Sequence, residues 1–454
     1  MQKKAYIRTF GCQMNVKDSE RMRGLLEESG YVYTNGPEEA DLILVNTCSV
    51  REKPENKLLG ALGRLKSYKD HKPGVLLGVC GCVAQRLGES LLEQAPYLDL
   101  ILGTQRIHEI KSLVERAGGG EQVVAVDWLS PHDQDLFQVP QTVPGNKVTA
   151  FVSIMQGCDN YCAYCIVPYV RGAQLSRRAD AVLSEVENLA GSGVKEVTLL
   201  GQNVNSYQDR DVQFPDLLRM AADVPGIERV RFTTSHPKDL SDRLIEVMAS
   251  HPRIMEHIHL PVQAGSDRVL SLMNRGYTRN GYLRLIEKLR EAMPEIGITA
   301  DLMVGFPGES EDDFLETLDL LERVRFDETF SFRYSIRPGT AAADFSGQVE
   351  EQVKYDRLYR LQALQERITQ EKNEHEVGRF HEVLVEGPSK TDPSRMTGRS
   401  RTNRLVHLPA AGAAPGELKT VRVTRALKHS LEGGENMEPI SANCIAQEET
   451  CLWK

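Results

Sequence analysis

Short apolar runs alternate with stretches of helical periodicity along most of the chain, and the alternation falls into three blocks. The first block reads KKAYIRTFG, DSERMRGLLEESG, ADLILVNT, a long helical segment, GVLLGVCG and LDLILG. Apolar runs bounded by turn residues and separated by helices predict an α/β domain with a doubly wound parallel sheet over residues 1–120. Glycine and proline punctuation then marks 121–145 as a linker. A second series follows over 146–376: TAFVSIMQG, VKEVTLLGQN, RVRFTTSHP, HIHLPVQAG, GITADLMVGFPGES and DETFSFRYSIRPG. These are six strand signals, where a closed barrel wants about eight, so a partial (β/α)6 barrel with an open side is expected. Its ligands should sit at the carboxyl ends of the strands. A charged helical run over 349–377 ends at Gly378 and reads as a connector. Beyond it FHEVLVEG, RLVHLP and LKTVRVTRAL predict a small antiparallel β-barrel within 377–445.

Composition narrows the function classes. A chain of 454 residues exceeds one hydrophobic core, in agreement with three blocks. No apolar stretch approaches the roughly 20 residues that span a bilayer, and MQKKAYIRTFGCQMN lacks the apolar region of a secretory signal, so a cytoplasmic protein with no membrane partner is expected. Nine cysteines, an odd number in a reducing compartment, favour metal binding or catalysis over disulfides. The net charge of −9 speaks against nucleic acid, yet residues 377–429 carry ten basic against four acidic side chains. That local surplus predicts an RNA-binding module.

The sharpest chemical signal is GCDNYCAYC directly after the strand TAFVSIMQ. Cys158, Cys162 and Cys165 offer three thiolates in one loop, and a cubane [4Fe–4S] cluster held by three cysteines keeps one iron open for an outside ligand. A zinc site with a distant fourth ligand and cysteines buried as small hydrophobes are the competing readings. In the first block Cys12, Cys48 and Cys82 each follow a different strand. Strand ends of a parallel sheet lie along one edge, so these distant residues are expected to form a second site, with three buried structural cysteines as the competing reading. Cys80, two residues before Cys82, should share its side of the strand. Periodicity cannot choose between them, and position nearer the strand end favours Cys82.

The loop around Cys158 resembles the radical S-adenosylmethionine (SAM) superfamily signature, and with GCQMN, NTCSVREK, GCVAQ and GCDNYCAYCIVPYVRG the chain resembles the methylthiotransferase family over nearly its whole length. Within it, NTCSVREK looks like the MiaB type, the branch acting on N6-isopentenyladenosine beside the tRNA anticodon. The resemblance implies two [4Fe–4S] clusters, an auxiliary one on Cys12, Cys48 and Cys82 and a SAM-binding one on Cys158, Cys162 and Cys165. It implies that one SAM methylates a sulfur held at the auxiliary cluster and another yields the radical that activates adenine C2. The terminal barrel looks like a TRAM domain that anchors the tRNA anticodon arm. A flavodoxin- or ferredoxin-like electron donor and a sulfur source complete the expected partners.

For SAM itself, Tyr164 matches the aromatic position usual in the motif. Gly201, Gln202 and Asn203 end the second barrel strand, where superfamily members contact the SAM amino group. Gly305 ends the fifth strand and would let backbone pass close to SAM, and Arg177 would meet its carboxylate. His236 and His259 read as hydrogen-bonded structural histidines. Where the family usually shows glutamate this chain has Gln174, which removes a charge. Two other functions compete: the same chemistry on a ribosomal-protein aspartate, and a non-catalytic iron–sulfur RNA-binding protein. Cys444 and Cys451 receive no role.

Overall fold

Strands buried on both faces must be apolar at successive positions, and the N-terminal strands are. In a computed structural model, which describes residues 2–49, 52–130, 134–137, 148–434 and 438–439, β1 (Lys4–Phe10), β2 (Val32–Tyr33), β3 (Leu42–Thr47), β4 (Leu76–Gly81), β5 (Leu100–Leu102) and β6 (Val123–Ala125) form one parallel sheet in the order β2-β1-β3-β4-β5-β6. Between them run α1 (Gln13–Glu28), α2 (Glu52–His71), α3 (Cys82–Leu87), α4 (Ser90–Gln94) and α5 (Ile110–Gly118). Leu42 and Leu44 pack with α1 and α5 on one face. Ile43 and Val45 pack with α2, α3 and α4 on the other. The order of crossovers reverses between β1 and β3, which opens a crevice at their carboxyl ends. β6 carries the sheet into the stretch expected as a linker, because its Val123 and Ala125 are buried against α5. Val50 and Arg51 of the NTCSVREK motif, and residues 131–133 and 138–147, lie outside the described residues, as do Cys444 and Cys451.

The second block is a partial barrel of six parallel strands in chain order. β7 (Thr149–Ser153) continues through β8 (Met155–Gln156), which pairs with β9 (Leu175–Ser176). The barrel goes on through β10 (Glu196–Leu200), whose following ribbon is β11 (Gln208–Asp209) with β12 (Val212–Gln213), then β13 (Arg229–Thr233), β14 (His257–His259), β15 (Gly297–Val304) and β16 (Glu328–Arg333). The hydrogen-bonded ladder is split into β7-β10-β13 and β14-β15-β16, with Val230 and Ile254 bridging. Around it lie α6 (Val167–Arg171), α7 (Ala179–Gly191), α8 (Phe214–Asp223), α9 (Asp242–Ser250), α10 (Asp267–Leu272), α11 (Arg279–Ala292), α12 (Glu311–Val324) and the connector α13 (Glu351–His375). Val197, Val230, Ile258 and Ile298 face these helices. Alternation therefore turns Glu196, Arg229, Arg231, His257 and Thr299 into the lumen, which is polar at its amino end. No helix among the described residues is long and apolar enough to cross a membrane.

The third block closes on itself. β17 (Phe380–Pro388), β18 (Arg395–Ser400), β19 (Leu405–Pro409), β21 (Leu431–Gly433) and β20 (Leu418–Ala426) are paired in that order, β20 returns to β17, and β22 (Glu438–Pro439) extends β20. Pairing is antiparallel except between β19 and β21, which run parallel, so the expected antiparallel barrel needs that correction. β18, RMTGRS, escaped the sequence reading because only Met396, Gly398 and Ser400 turn inward, and that pattern is weakly apolar.

This barrel docks on the amino ends of the β/α strands. Arg229 donates to the carbonyl of Arg399 at 2.7 Å and to Glu382 Oε1 at 2.7 Å, Arg231 to the carbonyl of Ser400 at 2.7 Å, and Arg401 to Glu256 Oε1 at 2.7 Å. Arg404 pairs with Asp327 at 2.6 Å. A Cβ on Gly297 would lie 2.5 Å from the carbonyl oxygen of Thr402. The surplus of basic residues expected to meet RNA is thus largely engaged within the chain: Arg379, Arg395, Arg399, Arg401, Arg404 and Lys419 all have carboxylate partners. Arg229, whose side chain is 0% exposed, cannot be lost without stranding the carbonyls of Arg399 and Glu382 and leaving the Glu382 carboxylate to Arg401 alone, 3.6 Å away. Arg229→Ala is expected to lower stability by about 3 kcal/mol in a denaturant titration, and the exposed Lys390→Ala to stay within about 0.5 kcal/mol.

Candidate active site at the facing strand ends

Cys12 precedes α1 as its cap residue, Cys48 follows β3, and Cys82 is the first residue of α3. All three stand at carboxyl ends, on either side of the crevice where the strand order reverses. Gly11 and Gly81 precede two of them with φ of +138° and +89°. A Cβ on Gly11 would lie 2.6 Å from that of Cys48, and one on Gly81 2.3 Å from Asn46 Oδ1, so only glycine allows these approaches. Gly81 also answers the question of Cys80. The strand ends there, alternation stops, and Cys82 turns into α3 while Cys80 stays wholly buried with Ala5, Met22 and Leu102. Burial pushes the Cys80 thiol up.

Hydrogen bonds tie the three crevice thiols together. Hydrogen bonding with Cys48, aided by the charge of Arg171, holds Cys12 down to about 6 and Cys82 down to about 7, while Cys48, between the two, is pushed up. Thiolate is the form that ligates metal. A buried amide pair holds the segments in place: Asn15 Nδ2 donates to Asn46 Oδ1 at 3.1 Å, and Asn46 Nδ2 donates to the carbonyl of Asn15 at 2.8 Å and to Ser19 Oγ at 2.9 Å. Asn15 Oδ1 lies 3.4 Å from Cys12 Sγ and accepts from it when that sulfur carries its proton.

The second loop leaves β8 at Gly157, whose φ is +82° and whose Cβ would lie 2.0 Å from the carbonyl oxygen of Ala173. Its N–H donates to Gln202 Oε1 at 2.6 Å. Cys158 N–H donates to the carbonyl of Gly172 at 3.2 Å and Cys165 N–H to that of Cys162 at 2.8 Å. Cys162 is buried and Cys158 and Cys165 half-buried. Burial raises Cys158 and pushes Cys165 up to about 12, outweighing the hydrogen bonds from Asn160 and from Val167 N–H that act the other way. Arg275 Nη1 donates to Cys162 Sγ at 3.3 Å.

α6 joins the two sites. Cys165 stands two residues before it, Val170 and Ile166 pack on Cys82, and Arg171 at its end pairs with Asp18 of α1 at 2.7 Å. Thr104 Oγ1 donates to the carbonyl of Val170 at 2.7 Å, and Lys17 pairs with Glu185 at 2.7 Å. By donor chemistry, three soft sulfurs with a buried guanidinium nearby suit an iron–sulfur cluster better than a hard oxygen-seeking cation, although among the described residues no three ligating side chains are already drawn together as around a bound ion.

The residues expected at SAM divide. Tyr164 packs beside Phe306 and Tyr334, and its hydroxyl accepts from Arg275 at 3.4 Å. Gly201 is forced by Met155, whose Cγ would be 2.4 Å from an added Cβ. Gln202 holds Gly157 in place. Both ends of the Asn203 amide are engaged, Nδ2 donating to Asp239 at 2.6 Å and Oδ1 accepting from His236 N–H at 3.1 Å. Gly305, φ +71°, lies against Lys354 and donates to Glu309 at 2.5 Å. Arg177 is 4% exposed. Its fork is taken by Glu185 and by the carbonyls of Ser153 and Ala181, which makes it part of the domain junction and not a free carboxylate receptor. His236 is structural, accepting from Lys238 N–H, and burial lowers it to about 2. His259 accepts or donates at Thr299 Oγ1, 3.0 Å away. Gln174 Nε2 donates to the carbonyl of Ser206 at 2.7 Å, and its Oε1 accepts from Ser206 Oγ at 2.6 Å. A carboxylate could not make the first bond, so the amide suits this chain. Asn15, Asn46 and Arg171 lie within the motifs GCQMN, NTCSVREK and GCDNYCAYCIVPYVRG but received no role there, and Arg275 lies outside every quoted motif.

Residues 4–103 match the family described as uncharacterized protein family UPF0004, residues 152–321 the radical SAM superfamily, and residues 374–434 the TRAM domain. The chain is 49% identical over 435 residues to the tRNA-2-methylthio-N(6)-dimethylallyladenosine synthase of Desulforamulus reducens, covering 94% of each. It is 50% identical over 432 residues to the protein of the same name from Geobacter sulfurreducens, covering 94% of this chain and 96% of that one. Among solved structures, the cobalamin- and [4Fe-4S]-bound radical SAM methyltransferase TsrM of Kitasatospora setae shares the fold, with a TM-score of 0.59 at 14% identity over 76% of this chain and 77% of that one.

The divergence of Cys80 and Cys82 leads to opposite expectations. Cys82→Ala should lower the iron bound after anaerobic reconstitution by about half, since one of two clusters is lost. Cys80→Ala should leave iron unchanged and cost about 1 kcal/mol of stability as a small core deletion. Gly157→Ala is expected to remove iron from the other loop alone, read as loss of the SAM-responsive part of the electron paramagnetic resonance signal.

Proposed function

The chain belongs to the family of tRNA-2-methylthio-N(6)-dimethylallyladenosine synthases, and from that premise we propose that it converts N6-isopentenyladenosine beside the tRNA anticodon to its 2-methylthio derivative. The observation that carries this reading is the pair of three-cysteine sites at facing strand ends, joined through α6. When bound, two iron–sulfur clusters and SAM would supply the radical and the methyl group, and the auxiliary cluster would hold the sulfur, that replacement of a non-acidic adenine C–H bond requires. We assign Cys12, Cys48 and Cys82 to the auxiliary cluster and Cys158, Cys162 and Cys165 to the cluster that receives SAM.

The chain's own residues then have separable tasks. Arg171 places a fixed positive charge beside Cys12 and Cys82, so that an anionic group is favoured there. Gln202 and the carbonyl of Gly172 hold the backbone of the second loop at Gly157 and Cys158. Tyr164, Gly201, Asn203 and Gly305 line the mouth where SAM would lie; of these, Asn203 acts by fixing the β10 and β13 ends against each other. An adenosine must leave its stack to enter this space, which is cheapest in a single-stranded loop. Phosphates of the tRNA are contacted by basic side chains of the terminal barrel that project to solvent, among them Lys390, Arg422 and Arg425, while its docked arginines hold the barrel in place. A flavodoxin- or ferredoxin-like donor supplies electrons and a separate source supplies sulfur. The ribosomal-protein and non-catalytic readings find no support among these relatives, which carry the tRNA-modifying name.

Reconstituted protein, SAM, a reductant and tRNA bearing N6-isopentenyladenosine, followed by nucleoside mass spectrometry, test the proposal. A methylthio increment on that nucleoside is expected. Cys162→Ala should abolish both 5′-deoxyadenosine and product, whereas Cys12→Ala should abolish product but still form 5′-deoxyadenosine. Deoxyadenosine from the wild type with unmodified tRNA would refute the substrate.

A further inference from the structure

A guanidinium taken out of water is strongly unfavourable unless it meets negative charge. Arg275 is 4% exposed, and all of its recorded hydrogen-bond partners are neutral oxygens or sulfur. Nε donates to Tyr277 Oη at 3.0 Å, Nη2 to the carbonyl of Pro261 at 2.8 Å, and Nη1 to Tyr164 Oη at 3.4 Å and to Cys162 Sγ at 3.3 Å. No described carboxylate lies within ion-pair distance of it; the groups whose charge acts on it are Tyr164, Tyr277 and Cys162. The contrast with Arg171 is direct, since that residue has Asp18 at 2.7 Å. Of the three groups, a cysteine thiolate is the one that carries negative charge at neutral pH once it ligates metal.

The segment that carries Arg275 is also the mould of the cysteine loop. Ala163 N–H donates to the carbonyl of Met273 at 2.9 Å, and Asn274, in the left-handed region at φ +57°, donates from Nδ2 to the carbonyl of Tyr161 at 3.1 Å. Tyr277 is in turn fixed by donating to the carbonyl of Val262 at 2.8 Å. The guanidinium therefore cannot swing away from Cys162 without breaking bonds at both of its ends.

We propose that Arg275 is a positioning residue for the radical cluster: its fork orients Cys162 Sγ, and its charge favours the more negative, reduced state, so that it sets the potential at which that cluster takes one electron from its external donor. This rests on the assignment of Cys158, Cys162 and Cys165 to a [4Fe–4S] cluster. The test is a potentiometric titration of the reconstituted full-length protein, following the SAM-responsive electron paramagnetic resonance signal, for wild type, Arg275→Lys and Arg275→Gln. Absence of any such signal in the wild type would fail the cluster assignment itself and is thereby distinguished. Arg275→Gln is expected to need at least a tenfold more reducing ratio for half-reduction, about 59 mV for one electron, and Arg275→Lys less than half that shift. If Arg275→Gln does not assemble the cluster, assembly by Arg275→Lys supports the charge role. An unshifted potential in Arg275→Gln, an equal shift in both variants, or loss of the cluster in both, would overturn it.

Discussion

The buried pair of Arg171 and Asp18 is the interaction on which the arrangement depends. Their side chains are 3% and 2% exposed and 2.7 Å apart. A charge buried this deeply is tolerated only with its partner in place, and separating the two costs several kcal/mol. Asp18 is on the helix that follows Cys12, and Arg171 ends the helix that follows Cys165. The pair therefore locks one cysteine loop against the other, with Lys17 and Glu185 repeating the device beside it. Two domains joined only by apolar contact could slide; joined by buried charges, they have few alternative seatings.

Chemistry and docking are allotted to opposite ends of the β/α strands. Every cysteine loop and every residue expected at SAM follows a strand, whereas Arg229, Glu256, Gly297 and Asp327, which meet the terminal barrel, begin or precede one. α13 spans the distance. Near its start Lys354 covers Gly305 and Arg357 pairs with Glu309 at 2.8 Å, and near its end Lys372 pairs with Asp327 at 2.7 Å and Asn373 donates to the carbonyl of Leu427 at 3.0 Å. The connector is thus a strut from the active mouth to the docked barrel.

A common local device brings the sulfurs forward. In Gly11-Cys12, Gly81-Cys82 and Gly157-Cys158 the glycine adopts positive φ and has no room for a side chain. The chain can turn sharply at the end of a strand and present the next residue at the mouth, a geometry that a β-carbon forbids. Cys48 has no such glycine; the close approach of Gly11 and the amide of Asn46 perform that task for it.

The alternation of strands and helices in the first two blocks and the six-strand barrel were legible in the sequence, because hydrophobic period is a local property; β6, β18 and the parallel pairing of β19 with β21 were not. The motif resemblance also pointed to the family. The partners of individual charges were not legible. The basic surplus of residues 377–429 read as one nucleic-acid surface, whereas tertiary structure sets Arg379, Arg401 and Arg404 against Glu295, Glu256 and Asp327 of the β/α barrel. Arg177 read as a carboxylate receptor, and folding set it against Glu185. Cys80 and Cys82 could not be separated by period until the turn at Gly81 ended the strand between them. A charge or a thiol acquires its role from what is brought opposite to it, and for these residues the opposing group is supplied by a distant part of the chain.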